Sequence, residues 1–538
     1  MNHTSRSASG TSEKAFIRKL KEKLLLLKPN LASAILPTIV VTLVFFLNYF
    51  CFGMDNTMIA PFVTLSFLRF RNISNHYECM CKTWLIYIIM TLLAFVAVIN
   101  LPLCIIVNAV ALFWLAYTLI DEYNPTNYFP AGMALIFFQI APAHTLQALG
   151  IRLLALSASL GIVLAFVIVL FRKKGSHNPV CSYILEGLAN CEAQLSAYRK
   201  YNMQALEKLH HELCVINKKI CDEIYTYNRA SIRLAGRINW YCRYVALFQV
   251  INYFTTKTFD MEDYIKISSI LNRFSRQFET ARPTSDYKRL NFKNDALSLK
   301  AFRFRFAMRL VLVVTPCLTF AYLTNWENSY WLVISVFFMM IPVTEFTKQR
   351  ISQRVTGTML GIILCFLLFS LFQDLPGRFL VMTLANFMIY ASNSYGVTVI
   401  YITCSALAMQ SLDASVSIML LQRLGYTVLG GIITLLANHF VFPIRTRKEM
   451  VILIGRLNAL QRQLTALSPE SCPDPDKRQY IMDGLIIKSY MLMKRLQTYH
   501  SWLPPEQQND AFVLYEQKYM TFMGEYLEGH LLESIPLS

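Results

Sequence analysis

Apolar residues along this chain fall into two groups of six segments, and each group is followed by a more polar stretch. The first group covers residues 31–52, 57–70, 83–100, 102–120, 128–143 and 149–171, and the second covers 307–324, 329–343, 355–372, 377–392, 395–411 and 419–442. A bilayer core of about 30 Å is crossed by about 20 apolar helical residues. The pattern therefore predicts twelve membrane helices.

Charged residues within and between these segments recur at nearly the same spacing in the two groups. A shift of 272 residues places Asp55 on Glu327 and Lys82 on Arg354, and a shift of 271 places Arg152 on Arg423. Such matches between the two groups indicate a duplicated membrane unit. Pro61 and Pro342 lie in the second segment of each group, which predicts either a broken, re-entrant helix or a proline-kinked one.

The two polar stretches are predicted to be helical, because their apolar residues recur at helical spacing, as in Leu206, Leu209, Leu213 and Ile216. The predicted fold class is all-α: an integral membrane protein with two repeated six-helix units, each followed by a cytoplasmic helical domain. The predicted domains are a basic amino terminus (1–30), the first membrane unit (31–171), a cytoplasmic helical domain (172–306), the second membrane unit (307–442) and a cytoplasmic helical tail (443–538).

Composition and charge support this organisation and give it an orientation. Hydrophobic residues make up 55% of the 538 positions and charged residues only 16%, against about 25% charged in soluble domains. The net charge of +18 is concentrated in predicted loops of one side, and residues 172–306 alone carry 23 Lys and Arg against 12 Asp and Glu. The positive-inside rule makes that side cytoplasmic. We predict a multi-pass protein of the cell (inner) membrane, both termini cytoplasmic, whose basic surface faces the lipid bilayer and not nucleic acid.

Motifs in the second membrane unit resemble those of a known family. Residues 330–336 (YWLVISV), 353–361 (QRVTGTMLG) and 422–431 (QRLGYTVLGG) are similar to the fusaric acid resistance and aromatic acid exporter family, and the resemblance extends over about 300–445. It implies an inner-membrane exporter or channel for small organic anions, typically aromatic carboxylic acids, often with a periplasmic membrane-fusion partner in bacteria. The first unit departs from the pattern, since Leu85 and Ile89 stand where the second has Gly357 and Gly361.

Arg152 and Arg423 are the leading candidates for binding an anion. A charged side chain within a membrane helix is costly, and a guanidinium pairs with a carboxylate through two parallel hydrogen bonds. We predict that the two arginines form an anion-selective ring near the outer mouth. The alternative is that each reaches the lipid headgroups, or that Arg423 pairs with Asp413, ten residues earlier.

Other candidates surround the same path. Arg354, with Lys348 and Arg350, forms a basic cluster that either gathers anions from the cytoplasm or only satisfies the positive-inside rule. Tyr330, beside Trp326 and Trp331, either stacks on an aromatic substrate or belongs to an interfacial belt.

Two further motifs have other predicted roles. His144, near the outer face, is the candidate for proton coupling. Gly357 and Gly361 form a GxxxG motif that predicts close helix packing.

Several function classes lack their sequence signals. The chain has no P-loop, nucleophile elbow or HExxH motif, so we expect neither an enzyme nor a cofactor, and transport driven by an ion gradient or running downhill. His210, His211 and Cys214 lack a second ligand pair, so no metal is expected. The alternative from another class is a non-transporting scaffold or envelope-stress protein acting through its cytoplasmic helices, which could also form a homo-oligomer.

Overall fold

The structure of the protein, a computed structural model, describes residues 30–70, 76–120, 126–171, 179–230, 235–258, 260–280, 301–324, 326, 328–372, 374–410, 416–468, 470–503, 505–508 and 510–533. These residues form helices and short connections, with no β-strand among them. The predicted all-α class is confirmed. The helices divide into two compact units: a membrane unit built from the two apolar groups, and a helical unit built from the residues that follow each group.

Each apolar segment of the sequence corresponds to one helix of the membrane unit. The helices of the first half are α1 (Leu31–Cys51), α2 (Ile59–Phe70), α3 (His76–Ala97), α4 (Leu101–Leu119), α5 (Phe129–Ile140) and α6 (Leu146–Phe171).

The helical unit begins with α7 (Pro179–Arg199), α8 (Met203–Ala230), α9 (Ala235–Phe254) and α10 (Met261–Thr280). The second half of the membrane unit follows with α11 (Phe302–Thr324), α12 (Tyr330–Met339), α13 (Thr344–Leu371), α14 (Leu375–Ala391), α15 (Tyr395–Gln410) and α16 (Val416–Phe440). The remaining helices, α17 (Thr446–Thr465), α18 (Pro475–Trp502) and α19 (Asp510–Glu533), complete the helical unit.

Seven helices among the described residues are long and apolar enough to cross a membrane: α1, α3, α4, α6, α11, α13 and α16. The protein is therefore a multi-pass membrane protein. Three of these helices begin well before their apolar segments: α3 at His76, α11 at Phe302 and α13 at Thr344. Hydropathy marks only the part of a helix that lipid or protein surrounds, whereas backbone hydrogen bonding continues through the polar turns beside it.

The second helix of each half is short. Helix α2 has 12 residues and α12 has 10, so at 1.5 Å per residue α12 extends over about 15 Å, half the thickness of a hydrocarbon core. Pro61 lies in the first turn of α2, where a missing N–H breaks no helical hydrogen bond, and Pro342 follows the end of α12. Both prolines lie outside helix interiors, as a short broken helix requires.

The two halves of the membrane unit pack against each other in a reciprocal way. The first helix of the first half, α1, contacts α14, the fourth of the second half, and α11, the first of the second half, contacts α4, the fourth of the first. Aromatic side chains meet in both interfaces. The Phe379 ring lies 5.5 Å from that of Tyr49, and the Phe113 ring lies 5.8 Å from that of Phe304.

A polar network lies inside the helical unit. The Nε2 atom of His210 on α8 is 2.7 Å from the Thr255 hydroxyl, which donates to Oε1 of Gln194 on α7 at 3.2 Å. Gln194 in turn donates to Oδ1 of Asn252 on α9 at 2.9 Å. The network joins three helices, and the burial that encloses it lowers the pKa of His210.

Candidate anion site

Three helices of the second half converge where α12 lies against α13 and α16. Glycines of α16 permit the close approach. A Cβ atom at Gly430 would lie 3.1 Å from Cβ of Ser335, and one at Gly431 would lie 3.0 Å from Cγ2 of Ile351. All of residues 331–337 on α12 are buried. Side chains that α13 and α16 present here are consequently shielded from solvent.

Arg423 projects from α16 into this region and is 1% exposed. Its guanidinium carbon lies 3.1 Å from the centre of the Trp331 ring, an arrangement that a cation and an indole face favour. The donors of a guanidinium lie in its own plane, however, and stacking does not satisfy them. Nε and Nη1 of Arg423, and the indole N–H of Trp331, have no acceptor among the described residues.

Arg354 on α13 adds a second buried cation, with 2% exposure. It lies near enough to Arg423 for the two charges to repel each other, and its guanidinium carbon is 5.4 Å from the centre of the Phe338 ring. Its Nε has no acceptor in the described structure, and the hydroxyl of Thr358, one turn along α13, has no partner there either. We call Arg354, Arg423, Trp331 and Thr358 the arginine cluster.

The arginine cluster has two positive charges, and the part of the membrane unit that the structure describes places no buried carboxylate beside them. Within the described part of the membrane unit, the buried charged side chains are all arginines: Arg152, Arg309, Arg354 and Arg423. An isolated buried cation is costly unless an anion or several acceptors accompany it. The cluster thus has the charge and the donors to hold an anionic oxygen group.

Arg309 shows how a buried arginine of this protein is satisfied when it is structural. It is fully buried on α11, and its donors reach five acceptors at the carboxyl ends of α12 and α16: the carbonyls of Ile341, Pro342, Val441 and Phe442 and the amide oxygen of Asn438. The cation thereby lies at two helix carboxyl termini, where a positive charge is favourable. The sequence pattern did not mark Arg309 as a candidate, although it is the one charged residue of the apolar segment 307–324.

Arg152 also has partners, all within the first half. Its Nε donates to Oδ1 of Asn56 at 3.2 Å and its Nη1 to the carbonyl of Phe138 at 3.3 Å, with the Phe138 ring 4.9 Å from its guanidinium carbon. Arg354 is the arginine that interacts electrostatically with Arg423. The predicted ring of Arg152 and Arg423 stays a prediction.

Tyr330 lies beside the arginine cluster at the start of α12. It interacts electrostatically with Arg423, and its hydroxyl donates to Oδ1 of Asn328 at 3.2 Å. Asn328 has a left-handed backbone conformation (φ 61°) that asparagine tolerates well, and its amide donates to Oε1 of Gln422 at 2.8 Å. The turn before α12 is thus fixed to α16 next to Arg423.

The remaining predicted residues lie elsewhere. Lys348 is exposed, whereas Arg350 donates to the carbonyl of Phe338 at 2.8 Å and lies 3.9 Å from the centre of the Tyr395 ring. The predicted basic cluster is therefore divided among three environments. His144 is exposed between α5 and α6, and Asp413 lies outside the described residues.

Gly357 and Gly361 lie where α13 packs against α15. A Cβ atom at Gly357 would lie 2.8 Å from the carbonyl oxygen of Gly396, and one at Gly361 would lie 2.6 Å from that of Ile400. These distances are shorter than van der Waals contact, so a larger residue would separate the two helices. Arg354 precedes Gly357 by three residues, so it lies on the same side of α13 as the two glycines.

Comparison with known proteins assigns the segment that contains this site. Residues 316–437 match the fusaric acid resistance protein-like family. The match includes the whole arginine cluster and confirms the resemblance over this segment.

Curated relatives align over segments of similar length. An uncharacterized protein of Synechocystis is 33% identical over 135 residues, 24% of this chain and 18% of that protein. An uncharacterized protein of Haemophilus influenzae is 30% identical over 143 residues, 26% of this chain and 20% of that protein, and one of Neisseria gonorrhoeae is 27% identical over 150 residues, 27% and 36% respectively. The chain thus aligns with between about a fifth and a third of the length of these relatives. No solved structure matches it.

Proposed function

We propose that this protein transports small organic anions out of the cell, aromatic carboxylic acids being the first class to test, and that the arginine cluster binds the substrate's carboxylate. The observation that carries the proposal is the state of Arg423: a buried guanidinium, stacked on Trp331, with two N–H groups that lack an acceptor among the described residues. The family match over residues 316–437 supports transport as the broader class.

The chemistry of the cluster suits a carboxylate better than a neutral ligand. Two carboxylate oxygens match the spacing of two guanidinium N–H groups, and hydrogen bonds between charged partners are about twice as strong as neutral ones. Arg354 contributes a second charge, and the Trp331 indole can donate one more hydrogen bond. Tyr330 and Trp331 also offer aromatic surface next to the carboxylate position, which favours acids with a ring.

The proposal includes a duplicated architecture with unequal halves. Reciprocal packing of α1 with α14 and of α4 with α11, together with a short second helix in each half, supports a pseudo-two-fold repeat. The halves differ chemically, because Arg152 is satisfied by Asn56 and Phe138 while Arg423 is not. The second half would bind substrate, and the first would serve as the frame against which it moves.

The cellular setting is proposed from charge and family. Basic loops and termini favour a cytoplasmic position for both termini in the inner membrane. Export across a two-membrane envelope would require a periplasmic membrane-fusion partner, and the helical unit is the surface through which a homo-oligomer would form.

Transport in vesicles tests the proposal directly. The purified protein would be reconstituted and the movement of labelled hydroxybenzoate, fusarate and malate measured for the native protein and for Arg423→Gln. Arg378→Gln is the matched control, since Arg378 is a membrane-unit arginine that stacks on Phe369 at 5.1 Å. Loss of movement in Arg423→Gln alone supports the proposal. No movement of any acid by the native protein contradicts it and favours the scaffold function.

A further inference from the structure

Two like charges share the arginine cluster, and no buried carboxylate accompanies them among the described residues of the membrane unit. Arg354 and Arg423 are both buried and repel each other. The carboxylates that the structure describes in the membrane unit, Asp55, Glu345 and Asp374, are all exposed. The charge balance of the cluster therefore changes greatly between its anion-bound and anion-free forms.

This difference in charge balance affects the conformational change by which a transporter's site switches from opening on one side of the membrane to opening on the other. During that step the site passes through a form from which water is excluded, and electrostatic energies increase as the local dielectric falls. A bound carboxylate neutralises one of the two charges and accepts hydrogen bonds from N–H groups that have no acceptor among the described residues. Without an anion, the two guanidinium groups would still repel each other in the closed form, and their N–H groups would still lack acceptors there.

We propose that this protein is an obligatory anion exchanger: its arginine cluster moves between the two faces only with a carboxylate bound, so each organic anion exported is coupled to the entry of another. The inference rests on the proposed transport function and adds its mode. It differs from proton-coupled export, in which the site returns without an anion.

The described residues contain one such cluster, and this determines how the exchange proceeds. The corresponding arginine of the first half, Arg152, already donates to Asn56 and to the carbonyl of Phe138, so it has no comparable need for an anion. Both anions must then use the same cluster in turn. The exchange is of the ping-pong type, in which the first anion leaves before the second one binds.

Trans-stimulation of efflux tests the mode. Vesicles containing the reconstituted protein would be loaded with labelled hydroxybenzoate and diluted into buffer with or without unlabelled hydroxybenzoate, with the membrane potential clamped. We expect efflux at least about tenfold faster with external anion, since a mid-bilayer charge costs a few kcal/mol and ~1.4 kcal/mol corresponds to a factor of ten in rate. A proton gradient alone is expected to leave the slow efflux unchanged.

The outcomes separate this inference from the function on which it rests. Equal efflux with and without external anion overturns the exchange mode and leaves anion transport in place, whereas no movement under either condition overturns both. Arg354→Gln leaves one guanidinium in the cluster and is expected to reduce the ratio of exchange to net efflux severalfold. An unchanged ratio in a variant that still transports would contradict the explanation that repulsion between the two arginines prevents the empty site from changing sides. If that variant does not fold, the measurement on the native protein still decides the mode.

Discussion

The guanidinium carbon of Arg423 lies 3.1 Å from the centre of the Trp331 ring, inside a region where both residues are buried. The indole covers the face of the cation and leaves donors at its edge without acceptors among the described residues. Stacking of this kind stabilises the charge and fixes its orientation, but it does not replace the hydrogen bonds that water would provide. Arg423 is thus held ready for an acceptor.

Substitution of Arg423 is expected to remove anion binding. Arg423→Gln loses the charge and the paired donors, so we expect the dissociation constant for hydroxybenzoate to rise about 10- to 100-fold, the value of a charged hydrogen bond. Arg423→Lys retains the charge without the planar pair of donors, so its dissociation constant should lie between those of the native protein and Arg423→Gln. Calorimetric titration of the detergent-solubilised protein measures this, with Arg378→Gln as the control. Equal affinity in all variants would place the site elsewhere.

Stability should separate Arg309 from Arg423, although both are buried arginines. Arg309→Gln leaves several carbonyls at the ends of α12 and α16 without their donor, and we expect a loss of about 3 kcal/mol or more in the free energy of unfolding. Arg423→Gln removes a buried charge whose Nε and Nη1 donors have no acceptor among the described residues, so its midpoint of thermal unfolding without ligand should be unchanged or higher. Thermal unfolding in detergent compares the two. A larger loss for Arg423→Gln would mean that its charge stabilises the fold.

The hydrophobic pattern was sufficient to predict the helices, because a membrane helix needs a long apolar segment and little else. It located every helix of the membrane unit but not the start of α13, whose first turns carry Lys348 and Arg350. It also gave no lengths precise enough to show that α12 covers only half a bilayer. Boundaries depend on local capping and packing, which the apolar pattern does not contain.

The arginine cluster was only partly predictable. Arg423 and Arg354 were both candidates because charge is costly in an apolar segment, yet they were assigned to opposite ends of the membrane. Sequence separation does not reveal that α13 and α16 run side by side, so that Arg354 lies beside Arg423. Thr358 gave no signal, since a threonine in a membrane helix usually bonds its own backbone.

Packing between α13 and α15 should be sensitive to a single methyl group. A Cβ atom at Gly361 would lie 2.6 Å from the Ile400 carbonyl oxygen, so we expect Gly361→Ala to lower the free energy of unfolding by about 1–3 kcal/mol. A Cβ atom at Gly425 on α16 would have no neighbouring atom within 4 Å, so Gly425→Ala should be neutral or slightly stabilising. Thermal unfolding of both variants tests the contrast. A tolerated Gly361→Ala would mean that α13 and α15 can separate at little cost.

Acid should weaken the helical unit through His210. Burial lowers the pKa of His210 below its ordinary value of 6.5, so the folded unit keeps this side chain neutral, against Thr255, at a pH where the unfolded chain already binds a proton. Its contribution to stability is therefore present above about pH 6.5 and is lost as the pH falls from there through the lower folded value. We expect the midpoint of thermal unfolding to fall between pH 7.5 and pH 5.5, and His210→Gln to reduce that fall. His211→Gln, at the exposed neighbouring position, is the control and should retain the native pH dependence. If His210→Gln follows the native curve at every pH, another group is responsible for the acid sensitivity.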